Sequence, residues 1–138
     1  MADQRSVDAV RALARVARLL EKAAGDLSLA HYRILSAVAG GDARASRIAA
    51  RLALGKPAVS TAVETLCQRG LLVREDHIGD QRVVDLRLTR EGAARLRAVE
   101  ADMTRWLDAL GARTPDADAV LDALVRLGDA IEHVAATR

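Results

Sequence analysis

The sequence of 138 residues has no phenylalanine, one tryptophan (Trp106) and one tyrosine (Tyr32). A core built on aromatic stacking is therefore excluded. Ala, Leu and Val must supply it, which suits packed helices. A single cysteine, Cys67, rules out an internal disulfide, and nothing argues for an oxidising compartment. No segment approaches the roughly twenty apolar residues needed to span a bilayer, and the first residues lack the apolar run of a signal peptide. The protein is expected to be cytoplasmic, with no membrane partner. The histidines His31, His77 and His133 are scattered, with no acid or thiol at metal-ligand spacing, so no metal site is expected. There is no phosphate-cradling glycine loop and no nucleophile paired with a base at a recognisable spacing. The chain is read as a non-enzyme without a cofactor.

What is present is organised charge on a helical pattern. The net charge is only +2, but it is unevenly spread. Residues 44–90 carry nine basic and five acidic side chains; residues 101–138 carry four basic and seven acidic. The positive excess falls on the middle of the chain, as a nucleic-acid footprint would. Of the 21 basic side chains, only Lys22 and Lys56 are lysines. Half the residues are hydrophobic, so a single globular domain over 1–138 is expected.

Helical spacing of apolar residues predicts helices over 5–24, from a Ser28 cap to about Val38, over 45–52 and from Pro57 to Arg69. Gly25 and Gly70 suit helix stops. In the fourth helix Val59, Val63 and Leu66 form the inward stripe, while Ser60, Thr61, Glu64, Thr65 and Gln68 lie around the other side. Two short helices joined by the turn 53–56, the second with a small polar face, match a helix-turn-helix reader. A hairpin follows at once. Leu72 to Asp76 form its first strand, His77 to Gln81 its turn around Gly79-Asp80, and Arg82 to Leu88 its return. Thr89 suits a helix cap, and a long helix runs to about Leu110. Thr114-Pro115-Asp116 reads as the start of a last helix, with Thr114 as its cap and Pro115 in its first turn. That helix carries Val120, Leu121, Leu124, Leu127, Ile131 and Val134 in one stripe. The outer helices have more apolar surface than a compact winged helix needs for its own core, and a second copy of the chain is the simplest cover for it.

The fold class is therefore mainly α: a winged helix-turn-helix over 28–92 with a two-stranded β wing, flanked by dimerisation helices over 1–27 and 93–138. Residues 30–92 resemble the MarR (multiple antibiotic resistance regulator) family. The matching residues are Asp80-x-Arg82 in the wing, Leu86-x-Leu88-Thr89 and Gly92 after it, and Arg74 before it. Upstream, Ile48-Ala49 with Leu52, Val59-Ser60, Leu66 and Gly70-Leu71 also match. The chain departs from the family at Gln81, where a basic residue is usual. It also lacks the usual wing-tip proline, having His77-Ile78-Gly79, and Thr61 stands where an arginine is common. The resemblance implies a homodimeric transcriptional regulator of double-stranded DNA, commonly a repressor on a palindromic operator, with recognition helices in major grooves and wings in minor grooves. Its expected DNA contacts are Lys56, Ser60, Thr61, Thr65, Arg74, Asp80, Arg82 and Arg87. Arg82 is read as the minor-groove probe and Asp80 as its positioner. The resemblance also implies release by a small apolar or aromatic effector in a pocket near His31, Tyr32 and Leu35. Two other readings stand beside this one. One is a winged-helix module that binds protein rather than specific DNA; the other is a thiol-responsive regulator using Cys67. By helical phase Cys67 is expected to face the body, not the groove.

Overall fold

The computed structural model describes the backbone of residues 1–77 and 80–136; the side chains of 76, 77, 80–84 and 136 lie outside the description. The described residues form α1 (Gln4–Ala23), α2 (Leu29–Ala39), α3 (Ala45–Leu52), α4 (Lys56–Gln68), β1 (Leu72–His77), β2 (Asp80–Leu88), α5 (Arg90–Gly111) and α6 (Ala117–Ala136). The predicted helices are all present. The tip of the expected hairpin turn, Ile78-Gly79, lies outside the described residues.

Local chemistry explains most boundaries. Ser28 caps α2 by accepting the His31 amide at 3.1 Å. Gly25, Gly41 and Gly70 take positive φ where the chain leaves a helix. The start of α6 differs from expectation. Asp116, not Thr114, is the residue whose side chain accepts an N-terminal amide, that of Ala119 at 3.0 Å. Pro115 precedes the helix instead of sitting in its first turn. The Thr114 hydroxyl donates backwards to the Gly111 carbonyl at 2.6 Å and closes the end of α5. Thr114 is thereby held against the end of α5, and the first amides of α6 are left to Asp116.

The core lies between α2, α3, α4 and the base of the hairpin, with α5 laid across it. Leu27, Ile34, Leu35, Ile48, Val59 and Leu66 are almost wholly enclosed, and Leu72, Leu86, Leu96, Val99 and Met103 complete the cluster. β1 and β2 pair antiparallel, from Leu72 opposite Leu88 to Asp76 opposite Val84, with an irregularity at Asp76/His77. The alternation places Leu72 and Leu86 in the core and turns Arg87 to the opposite, exposed face; Arg74, paired with Leu86, shares the core-side face but lies further along the hairpin, where it is exposed. A third, single-bridge strand goes beyond the expected two. Arg44 pairs with Asp85, and the Leu86 amide donates to the Ala43 carbonyl at 2.6 Å, so the wing is bound to the start of α3.

One junction docks the hairpin on α5. The Thr89 hydroxyl donates to the Gly70 carbonyl at 2.5 Å and accepts the Gly92 amide at 2.9 Å; the Thr89 amide donates to the Leu71 carbonyl at 3.2 Å. A Cβ on Gly92 would overlap the Leu71 carbonyl oxygen and lie 2.9 Å from the Leu71 carbonyl carbon. Only glycine lets the first turn of α5 come this close. Gly92→Ala is therefore expected to destabilise the fold by about 3 kcal/mol, the upper range for forced overpacking, because backbone rather than a flexible side chain must yield. Denaturant melts check this; an unchanged midpoint would mean that the junction slides freely.

Candidate nucleic-acid interface

α4 is divided between two environments. Val59, Ala62, Val63 and Leu66 are buried, whereas Lys56, Ser60, Thr61, Glu64 and Gln68 are exposed and Thr65 is half-exposed. The spacing that buries one stripe necessarily turns the small polar residues outward. The helix is capped by Gly55, which has no side chain to satisfy the first amides, and Pro57 stands in the first turn. The exposed N-terminal end therefore presents unpaired backbone N–H groups beside the Lys56 ammonium, an arrangement suited to a phosphate oxygen. Gly55-Lys56-Pro57, with no Ser, Thr or Asp at the cap, carries this feature in the sequence, but it resides in backbone amides and not in any side chain.

The hydroxyls of α4 are not equivalent. Thr61 donates to the Pro57 carbonyl at 3.0 Å and Thr65 to the Thr61 carbonyl at 3.1 Å. Both protons are used inside the helix, so these residues offer methyl groups and acceptor lone pairs outward. In the wing, Arg74 is exposed on β1. Arg87 is committed to Glu75, with its Nε 2.7 Å from a carboxylate oxygen on the neighbouring strand. That pair braces the wing and partly neutralises Arg87. The backbone of β2 runs through Asp80 and Arg82, but their side chains lie outside the described residues.

Two ion-pair clusters hold this surface to the rest of the chain. Asp26, in the α1–α2 turn, pairs with Arg69 at the end of α4 at 3.1 Å and with Arg95 of α5. The hydrogen bond from Arg95, with both guanidinium charges, holds the Asp26 carboxyl below its ordinary range. Arg51 of α3 reaches Asp42 at 2.5 Å and, through Nε, both carboxylate oxygens of Glu132 on α6 at 2.9 and 3.1 Å. These two acceptors keep Arg51 protonated still more firmly than usual. Arg51 thus ties the reader to the last helix.

Of the three residues expected around an effector, the structure separates two from the third. Leu35 is fully enclosed in the core, at 0% exposure, and cannot line an open site. His31 is half-buried on α2, and burial, then the nearby Arg69 charge, lowers its pKa. Tyr32 alone lines a groove, and its hydroxyl donates to Glu100 of α5 at 3.3 Å. Cys67 is half-buried against the core at the end of α4, on the side turned toward the body. Among the described residues, no group of three His, Cys, Asp or Glu side chains could hold a metal ion, and no helix is long and apolar enough to cross a membrane.

This arrangement of reader, wing and flanking helices defines a winged helix-turn-helix protein. Residues 25–83 match the model of the MarR family, and the chain has the fold of MarR-family transcription regulators. It is similar to the apo form of MarR from E. coli, at 21% identity over 91% of this chain and 96% of that one, with a TM-score of 0.72. The transcriptional regulator BldR from Sulfolobus solfataricus superposes with a TM-score of 0.73 at 18% identity, covering 94% of this chain and 99% of its own. The M. tuberculosis regulator MOSR, solved in complex with DNA, is 19% identical over 96% of this chain and 98% of its own, with a TM-score of 0.67. No curated protein sequence is significantly similar to the chain.

The Arg51 bridge is testable. In a double-mutant cycle, Arg51→Ala and Glu132→Ala are expected to show a coupling of about 0.5–1 kcal/mol at low salt, because both side chains are substantially exposed. The coupling should shrink as salt rises. Strict additivity of the two unfolding free energies would mean that the pair does not hold α6 to α3.

Proposed function

We propose that the protein is a homodimeric, sequence-specific regulator of double-stranded DNA, acting as a repressor on a palindromic operator and released by a small effector. The observation that carries this reading is the split of α4. One face is locked in the core, and the other offers Lys56, Ser60, Thr61 and Thr65 beside an uncapped helix end. A rigid helix with small exposed polar residues fits the major groove, and the wing beside it carries the basic residues Arg74 and Arg82 for the backbone and minor groove. The similarly folded MOSR was solved in complex with DNA, which supports a DNA-binding role for this fold. Thr61 and Thr65, with their protons engaged inside the helix, would read base donors and thymine methyls. Lys56 and the amides at the helix end would hold a phosphate.

Dimerisation is supported by apolar surface that the chain leaves uncovered. No residue of α1 is buried, and Val10 (66% exposed) and Leu13 face solvent together with Leu127, Ile131 (65%) and Val134 of α6. A groove of about 840 Å³ runs between α1, α3 and α6, lined mainly by Leu13, Leu124, Leu127, Ile131 and Val134. A contiguous apolar groove of this extent calls for a partner, and the paired ends of a second copy have matching chemistry. Light scattering should give twice the chain mass at micromolar concentration, and Leu127→Glu with Ile131→Glu should give a monomer that no longer binds DNA tightly. A stable wild-type monomer that binds a single half-site would remove the palindromic arrangement.

The contribution of the wing is read by salt titration. Arg82→Ala should flatten the log–log salt dependence of operator binding by roughly 0.9 per chain. It should cost about 1–3 kcal/mol per half-site, with the melting curve unchanged. Asp80→Ala should weaken binding less, by misplacing Arg82. Ser60→Ala and Thr61→Ala should alter the preferred sequence more than the slope. Wild-type slope and affinity for Arg82→Ala would reduce the wing to a structural part.

A further inference from the structure

The groove beside Tyr32 has a definite chemical bias. It lies between α1, α2 and α5 and is lined by Leu20, Tyr32, Glu100, Met103, Thr104 and Leu107, with a volume of about 410 Å³. That volume falls within the range of small-molecule sites, roughly 300–1,000 Å³. It shares no lining residue with the larger groove along α6. Leu20, Met103 and Leu107 give apolar walls, and the Met103 thioether suits the edge of an aromatic ring.

The polar groups of this groove nearly all accept hydrogen bonds. Glu100 is the one charged residue among those lining it. Tyr32 spends its phenolic proton on Glu100 Oε1, at 3.3 Å, and its oxygen, which also takes a hydrogen bond from Ser36, can act toward a third group only as an acceptor. Burial and the Glu100 charge push the Tyr32 phenol above its ordinary range, so it stays neutral. Thr104 is the only lining side chain with a proton to give. A carboxylate or phenolate guest would therefore meet an unneutralised carboxylate and a single donor. An ammonium guest would meet two convergent acceptors, one of them charged, above an apolar floor.

We propose that this groove binds a small aromatic or aliphatic cation, with its ammonium group between Glu100 and the Tyr32 oxygen and its apolar body against Leu20, Met103 and Leu107. This rests on the reading of the protein as effector-responsive and names the class of effector. A guest held in this way bridges α5 and α2, and α2 packs in turn on the recognition helix α4.

The test uses full-length protein without DNA and two probes that share a ring and differ in charge, 2-phenylethylamine and 3-phenylpropionate. Titration is followed by calorimetry and by amide chemical shifts. The amine is expected to bind at least roughly tenfold more tightly than the acid, as a hydrogen bond to a charged group implies. The shifts should centre on residues 20, 32, 100 and 103–107. Glu100→Gln should abolish the preference while keeping the melting temperature, and Leu107→Trp should fill the groove and remove binding of both probes. Equal binding of the two probes, preference for the acid, no binding of the amine at millimolar concentration, or an unchanged preference in Glu100→Gln would each overturn the proposal. Operator binding measured on the same samples reports separately on the regulator itself: intact DNA binding with a silent groove refutes only the ligand class.

Discussion

The close approach of Gly92 to Leu71, locked by Thr89, is the constraint on which the remainder depends. Thr89 spends its amide and its hydroxyl on the two residues that end the recognition-helix turn, Gly70 and Leu71, and its oxygen caps α5 at Gly92. Three elements meet there: the exit of α4, the return strand of the wing and the start of α5. Because the contact is backbone on backbone, its geometry cannot be adjusted by rotamers. The angle between reader, wing and long helix is thereby set, and the buried cluster from Leu66 through Leu72 to Leu96 fills the space that it defines.

Outside that junction the reader is held by the buried cluster, and exposed or half-exposed ion pairs on its rim tie it to the outer helices. Asp26 holds the end of α4 and α5 to the α1–α2 turn, and Arg51 holds α3 to α6. Contacts of this kind contribute little to net stability but fix orientation, and salt weakens them. The buried cluster thus fixes the reader, while salt-sensitive pairs lie where it meets the helices that carry the uncovered apolar surface. The groove at Tyr32 and Glu100 lies on the α2–α5 side of the same boundary.

Cys67 belongs to the rigid part. Its half-buried place against the core at the end of α4 accounts for it as a packing residue. A reactive thiol needs access and a stabilised thiolate, and the access is reduced here. Among the described wing residues, Arg87 is paired with Glu75 and Arg74 is exposed on β1.

The order and type of every described element followed from local rules. Period-3.6 stripes marked the helices, alternation marked the strands, and Ser28, Thr89 and Gly25 marked ends through hydrogen bonding or positive φ. These rules act within a few residues, so the sequence alone determined them. The MarR resemblance, carried by Gly70-Leu71, Leu86-x-Leu88-Thr89 and Gly92, drew on the same short range, and the structure supplied its reason in a single crowded junction. What only the tertiary structure decided lies between residues far apart in the chain. Thr114 was drawn to Gly111 and left the capping of α6 to Asp116. Ala43 and Arg44 came to rest against Asp85 and Leu86 as a third strand stub. Leu35 was enclosed while Tyr32, three residues earlier on the same helix, reached an open groove. Glu100 acquired a role only by meeting Tyr32, 68 residues away in sequence. Helical phase can say that a side chain points inward; which element waits there depends on packing, and packing is a property of the whole chain.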